Sequence, residues 1–458
     1  MIARRMGTDR IELKFNYDPR MVAFVKTLPG RQYHAGSKTW SVPFVGSMPI
    51  IEKLSGVGFE CDVSLIRDAM HDQQTGQEAE KLAEQSDVPF ESYMPLYPYQ
   101  RVGAAFLSKI GSGLLGDDMG LGKTIQALAV AEHTNAQKII IFCPSSVKYQ
   151  WADEIRKFIA PDKIASSQRS LVVVDGDKET RTKQWQDTGP RFYICNYELL
   201  LRDFDLMDVR VWDLVIADEA TRIANPTAQS SKFIKKLRAK RRIAMTGTPI
   251  SNRAHEVWNI IDFTNSNALG SYFSFVDRYC VRNHFNAIVS YKNTDELTAK
   301  LKRYMIRRMK EDVLKELPGK IITDIPFELS AEEEHVYKNI KKEILFEIEK
   351  TDINKLENPM TIQYTLVKMT RLRQIADSLE LIGENKASSK LAVLKDMLPE
   401  ALQNGRKAII FTQFSEMADI LERELAEYKP LKISGKIKGE YSDVVKEFND
   451  DESRQLLV

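Results

Sequence analysis

The chain has 458 residues, of which 43% are hydrophobic and 28% charged, and its formal net charge is +2 at pH 7. This composition is typical of a soluble globular protein, and the length predicts two to four domains rather than one core. No apolar run approaches the roughly 18 residues that span a bilayer, and the first residues, MIARRMGTDRIELKF, lack the apolar segment of a secretory signal. We therefore expect an intracellular, cytoplasmic protein without a membrane partner. A compact chain without long disordered tails favours a bacterial or viral source.

Cysteine usage argues against a metal or disulfide framework. The four cysteines are Cys61, Cys143, Cys195 and Cys280. They lie far apart, and no two of them have Cys-x-x-Cys spacing. A disulfide scaffold or a structural zinc site needs paired or closely spaced thiols. The pattern favours a protein that works in a reducing environment.

Residues 1–70 alternate apolar and polar positions and predict a small α+β module. Within it, basic residues are interleaved with four aromatic residues, Phe15, Tyr17, Tyr33 and Trp40. Basic groups neutralise phosphates and exposed rings stack on unpaired bases, so one interpretation is a nucleic-acid-binding module. The other is that the rings form the core of the module and the charges are solvated, and composition alone favours this second interpretation.

A polar stretch rich in Gln and Glu, residues 71–92, predicts a linker or an exposed helix. Over residues 93–270, short apolar strands alternate with helix-length segments, and among them are KIIIFCP, SLVVVDG, RFYICNY, WDLVIADE and RRIAMTGTP. That alternation predicts parallel strands joined by crossover helices, an α/β domain. Residues 271–385 predict a helical insertion, with AEEEHVYKNIKKEILFEIEK as its clearest helix, and a strand–helix pattern resumes over 386–458.

The stretch SGLLGDDMGLGKTIQALAV has the features of a phosphate-binding loop. An apolar run leads into a glycine-rich turn, and Lys123 and Thr124 open a periodic apolar helix. Gly120 and Gly122 let backbone N–H groups approach phosphates closely, and the N-terminus of the helix adds the positive end of its dipole. We expect Lys123 to contact the β- and γ-phosphates of ATP, and the Thr124 hydroxyl to bind Mg²⁺. Asp117 stands where the usual pattern has its first glycine.

A second chemical signal is the strand WDLVIADEATRIAN, which ends in two acids, Asp218 and Glu219. Carboxylates at a strand end can hold a magnesium ion and orient an attacking water. We expect Asp218 to bind Mg²⁺ and Glu219 to act as the general base. The alternative is a solvated strand end without chemistry. Because the acids occur together with the upstream loop, the sequence predicts an ATP-hydrolysis site.

Three segments in this order, DDMGLGKT, DEAT and MTGTPISN, resemble the superfamily-two helicase motors, and more specifically the Swi/Snf-type ATPases that translocate on double-stranded DNA. The resemblance extends from about residue 93 to the end of the chain. It implies an α/β fold of tandem RecA-like P-loop lobes with helical insertions, the second lobe being incomplete. It also implies ATP and Mg²⁺ as cofactors and double-stranded DNA as the partner.

The resemblance gives roles to further residues. LYPYQRVGAAFL is similar to the adenine-contacting segment and carries Gln100 as the base-reading amide. RIAMTGTPISN resembles the segment that couples hydrolysis to lobe motion, centred on Thr246, Gly247 and Thr248. CPSSVKYQWADE and CNYELL match segments that touch the DNA backbone, and YMIRRMKEDVLKELPGK is typical of this subgroup. The residues that we expect to contact DNA are Pro144, Ser145, Trp151, Asn196, Tyr197, Arg307 and Arg308.

Two departures from the family pattern carry expectations. Thr221 follows Asp-Glu-Ala where the family usually has histidine, which implies altered coupling between nucleotide and DNA rather than loss of ATP binding. The chain ends at RQLLV, a strand that in the family leads to a DNA-contacting loop and then to arginines that reach the γ-phosphate. Such an arginine raises the rate of ATP hydrolysis by a factor on the order of 10³–10⁵. We therefore expect ATP binding with weak turnover, unless a C-terminal segment complements the chain.

The N-terminal module carries Phe-x-Tyr-Asp, Leu-Pro-Gly and Lys-x-Trp-x-x-Pro in an order that resembles the HARP module of annealing helicases. That resemblance implies binding at junctions between single- and double-stranded DNA. The leading hypothesis is an ATP-dependent motor on double-stranded or forked DNA, which remodels forks or anneals strands. The alternative is a DNA-binding or annealing module whose nucleotide site acts as a switch with little hydrolysis.

Overall fold

The computed structural model describes residues 1–7, 10–44, 47–159, 171–250, 254–316, 318–350, 359–384, 386, 388–435 and 441–458. The chain forms two compact units, Met1–Leu317 and Pro318–Val458. The division between them falls inside the predicted helical insertion at 271–385, so that segment belongs to two different units. Among the helices of the described residues, none is both long and apolar enough to cross a membrane.

In the N-terminal module, the residues that the structure describes form a five-stranded sheet and two helices. The strands are β1 (Ile2–Met6), β2 (Arg10–Lys14), β3 (Gln32–His34), β4 (Thr39–Pro43) and β5 (Glu60–Cys61), and the helices are α1 (Pro19–Thr27) and α2 (Met48–Gly56). Their order in the sheet is β3-β4-β2-β1-β5, with β5 parallel to β1 and the other neighbours antiparallel. Alternate residues of β2, Ile11 and Leu13, are buried against α1 and α2 residues in one core. The predicted α+β module is confirmed.

The four aromatic residues of this module divide between core and surface. Phe15 packs edge-on against Phe59, with ring centroids 5.7 Å apart. Trp40 is half-buried, and its ring centroid lies 5.1 Å from that of Tyr33. Tyr17 and Tyr33 are 85% and 51% exposed. Neither interpretation of the sequence therefore describes all four rings.

A long helix, α3 (Val63–Ala83), leads out of the module. Asp62 caps its N-terminus, since the Asp62 carboxylate accepts a hydrogen bond from the Ser64 N–H at 2.8 Å. The helix continues through residues 71–83, the first part of the predicted linker or exposed helix. Ala69, Gly76 and Ala79 are buried on one face of this helix. Packing of that face stabilises the helical conformation of this polar segment.

The described residues of the main body of the first unit form nine further strands. They are β6 (Gly113–Leu115), β7 (Ile139–Cys143), β8 (Leu171–Val173), β9 (Phe192–Asn196), β10 (Trp212–Asp218), β11 (Ala239–Met245), β12 (Cys280–Arg282), β13 (Ile288–Tyr291) and β14 (Met305–Ile306). Strands β12 and β13 form a separate antiparallel hairpin. The others form a parallel sheet in the order β14-β6-β11-β10-β7-β9-β8. The predicted parallel α/β domain is confirmed.

Helices cover both faces of this sheet. The helices of this part of the unit are α4 (Pro98–Ile110), α5 (Lys123–His133), α6 (Lys148–Phe158), α7 (Lys178–Gln186), α8 (Leu199–Arg202), α9 (Phe204–Met207), α10 (Gln229–Lys236), α11 (Glu256–Thr264), α12 (Tyr272–Tyr279), α13 (Thr294–Lys302) and α14 (Lys310–Val313). Alternate residues of β7 serve two cores, because Ile139 and Ile141 pack with α4, α5 and α6, whereas Ile140 and Phe142 pack with α11 and α12 residues. Burial on both faces explains the continuous apolar run IIIFC.

The short strand β14 was not predicted from the sequence. Met305 and Ile306 pair in parallel with Leu114 and Leu115 of β6. Two residues carry too little periodicity to indicate a strand, and tertiary pairing decides their conformation. Residues 271–316 therefore complete the first unit, whereas the sequence predicted a helical insertion there.

The second unit combines helices with a small parallel sheet. Its elements are α15 (Ala331–Lys350), α16 (Pro359–Asp377), α17 (Ser389–Ala401), β15 (Ala408–Ile409), α18 (Ser415–Glu424), α19 (Tyr441–Asp450) and β16 (Leu456–Leu457). Strands β15 and β16 are parallel, and Leu431 adds a single parallel bridge to Leu457. The predicted strand PLKISG thus contributes one bridge. Leu398, Leu421 and Leu456 lie in the core of this unit.

Candidate active site

The predicted site residues gather at one edge of the main sheet, because its strands are parallel and their carboxyl ends coincide. The glycine-rich loop (residues 116–122) follows β6, the coupling segment (residues 246–248) follows β11, and the two acids lie at the end of β10. These three strands are neighbours in the order β6-β11-β10. The next strands along this edge, β7 and β9, lead to segments predicted to contact DNA. Ligands of α/β sheets bind outside the carboxyl ends of the strands.

The glycine-rich loop curves around the ammonium group of Lys123. Its Nζ donates hydrogen bonds to the carbonyl oxygens of Asp117 and Asp118 at 3.0 and 3.2 Å. Gly120 and Gly122 have φ angles of 84° and 72°, a left-handed conformation that favours glycine. The loop enters α5 directly, where the first turn has N–H groups without helical partners. A cation and a helix N-terminus at one loop provide the elements of an anion site.

Lys123, Asp218 and Glu219 interact electrostatically. Burial lowers the pKa of the Lys123 ammonium, and the negative charges of Glu219 and Asp218 offset part of that change. Burial raises the pKa of Asp218, and the hydrogen bonds that its carboxylate accepts offset part of that rise. Burial and then the charge of Asp218 raise the pKa of Glu219. Perturbed groups of opposite charge gathered at one sheet edge are typical of active sites.

The backbone at Glu219 has an unusual conformation. Its φ and ψ are 49° and 55°, in the left-handed region that residues with a Cβ rarely adopt. It immediately precedes the 3₁₀ turn Ala220–Ile223. Such backbone strain is common at functional positions, where the surrounding structure holds it in place. Thr221, in that turn, is exposed, and its Oγ1 lies 3.5 Å from the carbonyl oxygen of Glu219. Its role in coupling stays a prediction.

The coupling segment lies between the acids and the glycine-rich loop. The Thr246 hydroxyl makes a hydrogen bond with the Glu219 carboxylate, and the Thr246 N–H donates to the carbonyl oxygen of Leu115 at 3.2 Å. The Thr248 N–H donates to the Thr246 Oγ1 at 3.2 Å. A Cβ added to Gly247 would lie 2.8 Å from the Cγ of Met119 in the loop and 3.6 Å from the Lys123 Nζ. The sequence-predicted residues of loop, acids and coupling segment are therefore brought together.

Gln100 supports the glycine-rich loop. Its Oε1 accepts a hydrogen bond from the Tyr97 N–H at 3.0 Å, and its Nε2 donates to the carbonyl oxygen of Leu121 at 3.2 Å. Only 6% of the residue is exposed. A Cβ on Gly122 would lie 2.4 Å from this Nε2, so a larger residue could not occupy that position without displacing the amide. The base-reading role of Gln100 stays a prediction.

Trp151 and Tyr197 were predicted to contact DNA, but their side chains are buried and contact Asp218. Trp151 is 2% exposed, and its indole Nε1 donates to Asp218 Oδ2 at 2.9 Å. Tyr197 is 4% exposed, and its hydroxyl donates to the Asp218 carbonyl oxygen at 2.6 Å. Buried Trp and Tyr side chains usually place their polar group on a partner in this way. The expected direct contact is corrected to a supporting contact with the acidic strand end.

The other residues predicted to contact DNA from this edge lie at the surface. Pro144 is half-buried and Ser145 is exposed, and both directly follow β7. Asn196 ends β9 and is half-buried, with its Nδ2 donating to Glu198 Oε2 at 2.8 Å. Arg307 is exposed. Their positions are compatible with DNA contact, which stays a prediction.

Arg308 differs from its neighbour Arg307. Its side chain is 13% exposed and forms an ion pair with Asp117, whose side chain is fully buried. The predicted DNA contact from Arg308 is therefore corrected, because its guanidinium points into the protein. The sequence reasoning gave no role to Asp117, the buried partner of this ion pair. Its presence in place of the usual first glycine was the available signal.

Gly103 of α4 packs against this ion pair and yields a stability prediction. A Cβ there would lie 1.9 Å from Gln126 Oε1 and 2.5 Å from Arg308 Nη2. Glycine to alanine within a helix usually stabilises it, by roughly 0.5–1 kcal/mol, but overpacking costs about 1–3 kcal/mol. We expect Gly103→Ala to lower the free energy of unfolding, as measured by urea denaturation. Gly56→Ala is the matched control, because nothing lies within 4 Å of its added Cβ. Equal stability of Gly103→Ala and the wild type would contradict the close approach.

The oxygen donors at the sheet edge are of the kind that Mg²⁺ prefers. Thr124, which carries a hydroxyl, lies in the first turn of α5 next to Lys123. Asp218, which carries a carboxylate, is the last residue of β10, two strands away from β6. Asp218 is half-buried, and its carboxylate is held by two N–H donors, from Trp151 and from the Glu219 backbone. A ligand oriented by donors of this kind is typical of a metal site. These residues fit a magnesium ion.

Comparison with known proteins identifies relatives of this chain. A family model described as the SNF2-related domain matches residues 63–381. An uncharacterised ATP-dependent helicase of Mycoplasma genitalium is 30% identical over 343 residues, which are 73% of this chain and 32% of that protein. The DNA repair and recombination protein RAD26 of Saccharomyces cerevisiae is 27% identical, over 82% of this chain and 41% of that protein.

A solved structure is also similar. The SWI2/SNF2 ATPase core of Sulfolobus solfataricus in complex with double-stranded DNA shares 30% sequence identity, over 82% of this chain and 80% of that chain, with a TM-score of 0.44. The chain spans about a third of the length of these curated relatives. Since the match at 63–381 covers well over half of the 458 residues and includes the loop, the acids and the coupling segment, the chain belongs to the SNF2-related family.

Proposed function

We propose that this chain is the ATP-driven part of a motor that moves along double-stranded DNA. The observation that carries the proposal is the convergence of Lys123, Asp218 and Glu219 at one sheet edge. Burial shifts the pKa of each group, and the charges of the three also act on one another. A similar protein is named an ATP-dependent helicase, and another is named a DNA repair and recombination protein, which supports the same activity and the same class of partner. Forked DNA and strand annealing are the more specific substrate and outcome that we propose.

The chemistry proposed is hydrolysis of the terminal phosphate of ATP. The Lys123 ammonium attracts the β- and γ-phosphates into the glycine-rich loop, where it now bonds to two carbonyl oxygens. Glu219 takes a proton from the attacking water, and its raised pKa makes it a better base than an ordinary carboxylate. Thr124 and Asp218 would hold Mg²⁺, which when bound neutralises charge on the phosphate oxygens. The products are ADP and inorganic phosphate.

Coupling to DNA is proposed to pass through Asp218. Trp151 lies in α6, which follows Pro144 and Ser145, and Tyr197 directly follows Asn196. Both aromatic side chains bond to Asp218. A displacement of either DNA-facing segment would therefore move a donor of the proposed magnesium ligand. This contact offers a short physical route between the DNA track and the hydrolysis site.

The experiment that tests movement is displacement of a third strand from a DNA triplex, measured with ATP and with a non-hydrolysable analogue. We expect displacement with ATP and none with the analogue, because a motor that moves along the duplex must hydrolyse ATP to push the third strand off. Duplex binding and ATP binding without displacement or DNA-stimulated turnover would overturn the motor in favour of the nucleotide switch. A forked substrate labelled on both arms tests fork remodelling and annealing separately.

Trp151→Phe tests the support of the proposed magnesium ligand. The change keeps an aromatic ring but removes the indole N–H that donates to Asp218 Oδ2 at 2.9 Å. Loss of such an outer contact costs about tenfold or more in metal affinity, so we expect the Mg²⁺ concentration for half-maximal turnover to rise by about that factor. Trp185→Phe is the matched control, because buried Trp185 donates in the same way to Asp203 Oδ2 at 3.0 Å. Equal magnesium dependence of the two variants would contradict the role of Trp151.

A further inference from the structure

The first part of the glycine-rich loop is held by a segment that lies far away in sequence. Arg308 donates from Nε to Asp117 Oδ1 at 3.0 Å and from Nη2 to Asp117 Oδ2 at 2.5 Å, across 191 positions of the chain. The backbone N–H of Arg308 donates to the same Oδ1 at 3.1 Å. Asp117 is fully buried. Its carboxylate therefore takes three hydrogen bonds from a single residue.

Two further residues complete the cluster around this ion pair. Gln126 of α5 donates from Nε2 to Asp117 Oδ2 at 3.0 Å and accepts from Arg308 Nη2 at 2.9 Å through its Oε1. Gln126 is also fully buried. Arg308 Nη1 donates to the carbonyl oxygen of Tyr99 in α4. The guanidinium thus ties together the loop, the helix that follows it and the helix that precedes it.

A backbone ladder extends the same attachment along the loop. The N–H groups of Gly116 and Asp118 donate to the carbonyl oxygens of Ile306 and Arg308 at 2.8 and 3.0 Å. The Lys310 N–H donates to Asp118 Oδ2 at 3.0 Å. Asp117 and Asp118 supply the carbonyl oxygens that bind the Lys123 ammonium. The position of the cation expected to bind phosphate therefore depends on residues that the segment 306–310 holds in place.

A fork of two parallel N–H donors sets both the distance and the angle of a carboxylate, which lysine cannot do with its single flexible ammonium. A buried carboxylate without its partner also carries a large desolvation penalty. Removing Arg308 therefore has two separable consequences. The glycine-rich loop loses its geometry, and the Asp117 carboxylate is left buried without a partner. Only the first should act on nucleotide binding.

We propose that Arg308 is a positioning residue for nucleotide binding, which holds Asp117 so that the glycine-rich loop has the shape that accepts the phosphates of ATP. The inference deepens the proposed function and rests on it. It gives the departure from the usual loop pattern at Asp117 a reason, since a glycine there could not accept the Arg308 fork. It also gives neighbouring arginines different roles, with Arg308 inside the protein and Arg307 at its surface.

The test measures the affinity of each variant for ATP carrying a fluorescent N-methylanthraniloyl group, in the presence of Mg²⁺, together with thermal unfolding. We expect Arg308→Lys to weaken binding about tenfold, because it keeps the charge and loses the fork. The matched control is Arg181→Lys. Arg181 forms a similarly buried two-bond pair with Asp203, at 2.8 and 3.0 Å. Asp203 also accepts a hydrogen bond from Trp185, which lies in the other core of the same unit. This control should lower the melting temperature and leave affinity within twofold of the wild type.

A double variant separates positioning from stability. Arg308→Met alone leaves the Asp117 carboxylate unpaired, whereas Asp117→Asn combined with Arg308→Met removes both charges. We expect the double variant to regain most of the melting temperature lost by Arg308→Met and to keep an affinity at least tenfold weaker than the wild type. Measuring it also answers the case in which Arg308→Met does not fold.

Three results would overturn the inference alone. They are wild-type affinity in folded Arg308→Lys, recovery of both stability and affinity in the double variant, and an equal loss of affinity in Arg181→Lys. Failure of the wild-type chain to bind the labelled ATP would overturn the proposed function, and the inference with it. The two failures are therefore distinguishable in one set of titrations.

Discussion

Replacing Glu219 by glutamine is expected to lower DNA-stimulated ATP turnover by at least about 100-fold, because an amide cannot take the proton of the attacking water. The side chain keeps its size, and the Thr246 hydroxyl that bonds to the carboxylate can bond to the amide oxygen. Removal of a charge that repels Asp218 should leave ATP affinity within about threefold of the wild type. The measurement is kcat and KM for ATP with saturating duplex DNA, together with the affinity for labelled ATP.

The control for this change is Glu179→Gln. The Glu179 side chain is 79% exposed and pairs with Lys183 on the surface of α7. Surface pairs of this kind contribute little, so turnover and stability should stay unchanged. Turnover in Glu219→Gln within a few-fold of the wild type would remove Glu219 from the role of general base. A matched loss of affinity would instead indicate that it contributes to ATP binding.

Replacing Lys123 by alanine is expected to weaken ATP binding by about 100-fold or more, and to abolish turnover. The ammonium is the cation within the glycine-rich loop, and the carboxylates of Glu219 and Asp218 lie within its electrostatic reach. Without it, less positive charge would offset the repulsion between these carboxylates and the phosphates. A single hydrogen bond to a charged group contributes about 1.5–3 kcal/mol, and the lost charge balance adds to that. Titration with labelled ATP measures the effect directly.

Lys183→Ala provides the comparison for Lys123→Ala, because Lys183 is 73% exposed and pairs only with Glu179 among the described ion pairs. It should bind ATP like the wild type. Circular dichroism and thermal unfolding show whether Lys123→Ala remains folded. A folded Lys123→Ala chain that binds ATP normally would show that the glycine-rich loop is not the nucleotide site.

Much of the first unit could be predicted from its sequence because the signals are local. Runs such as IIIFC and WDLVIAD are strands that a parallel sheet buries on both faces, and both are strands in the structure. Lys123 and Asp218 could be placed together from sequence because each directly adjoins such a strand end or the following helix. Parallel strands bring those ends to one edge, whatever their separation along the chain.

The roles of Trp151, Tyr197 and Arg308 could not be read from the sequence in the same way. Aromatic and basic residues in a segment that resembles a DNA track have the same composition whether they face solvent or the core. The deciding contacts are long-range, since Trp151 bonds to Asp218 across 67 positions and Arg308 bonds to Asp117 across 191. The residues next to Trp151 or Arg308 in the sequence do not indicate which distant residue will be its partner.

Domain boundaries were harder still. The stretch at 71–92 is polar, yet residues 71–83 continue helix α3 because small residues on one face pack inside. The segment 271–385 was predicted as one helical insertion, yet its first part returns to the main sheet through β14. The composition of a segment indicates whether it is polar or apolar overall. The compact unit to which the segment belongs depends on packing, which composition does not specify.

Whether this chain is a DNA-driven motor can be decided by steady-state ATP hydrolysis with and without duplex DNA, with Lys123→Ala as the reference for background activity. We expect duplex DNA to raise the turnover rate of the wild type, and we expect Lys123→Ala to lose the DNA-dependent part entirely. Turnover that duplex DNA leaves unchanged, in a chain that binds both ATP and DNA, would contradict a DNA-driven motor. It would favour a nucleotide switch at the same sheet edge.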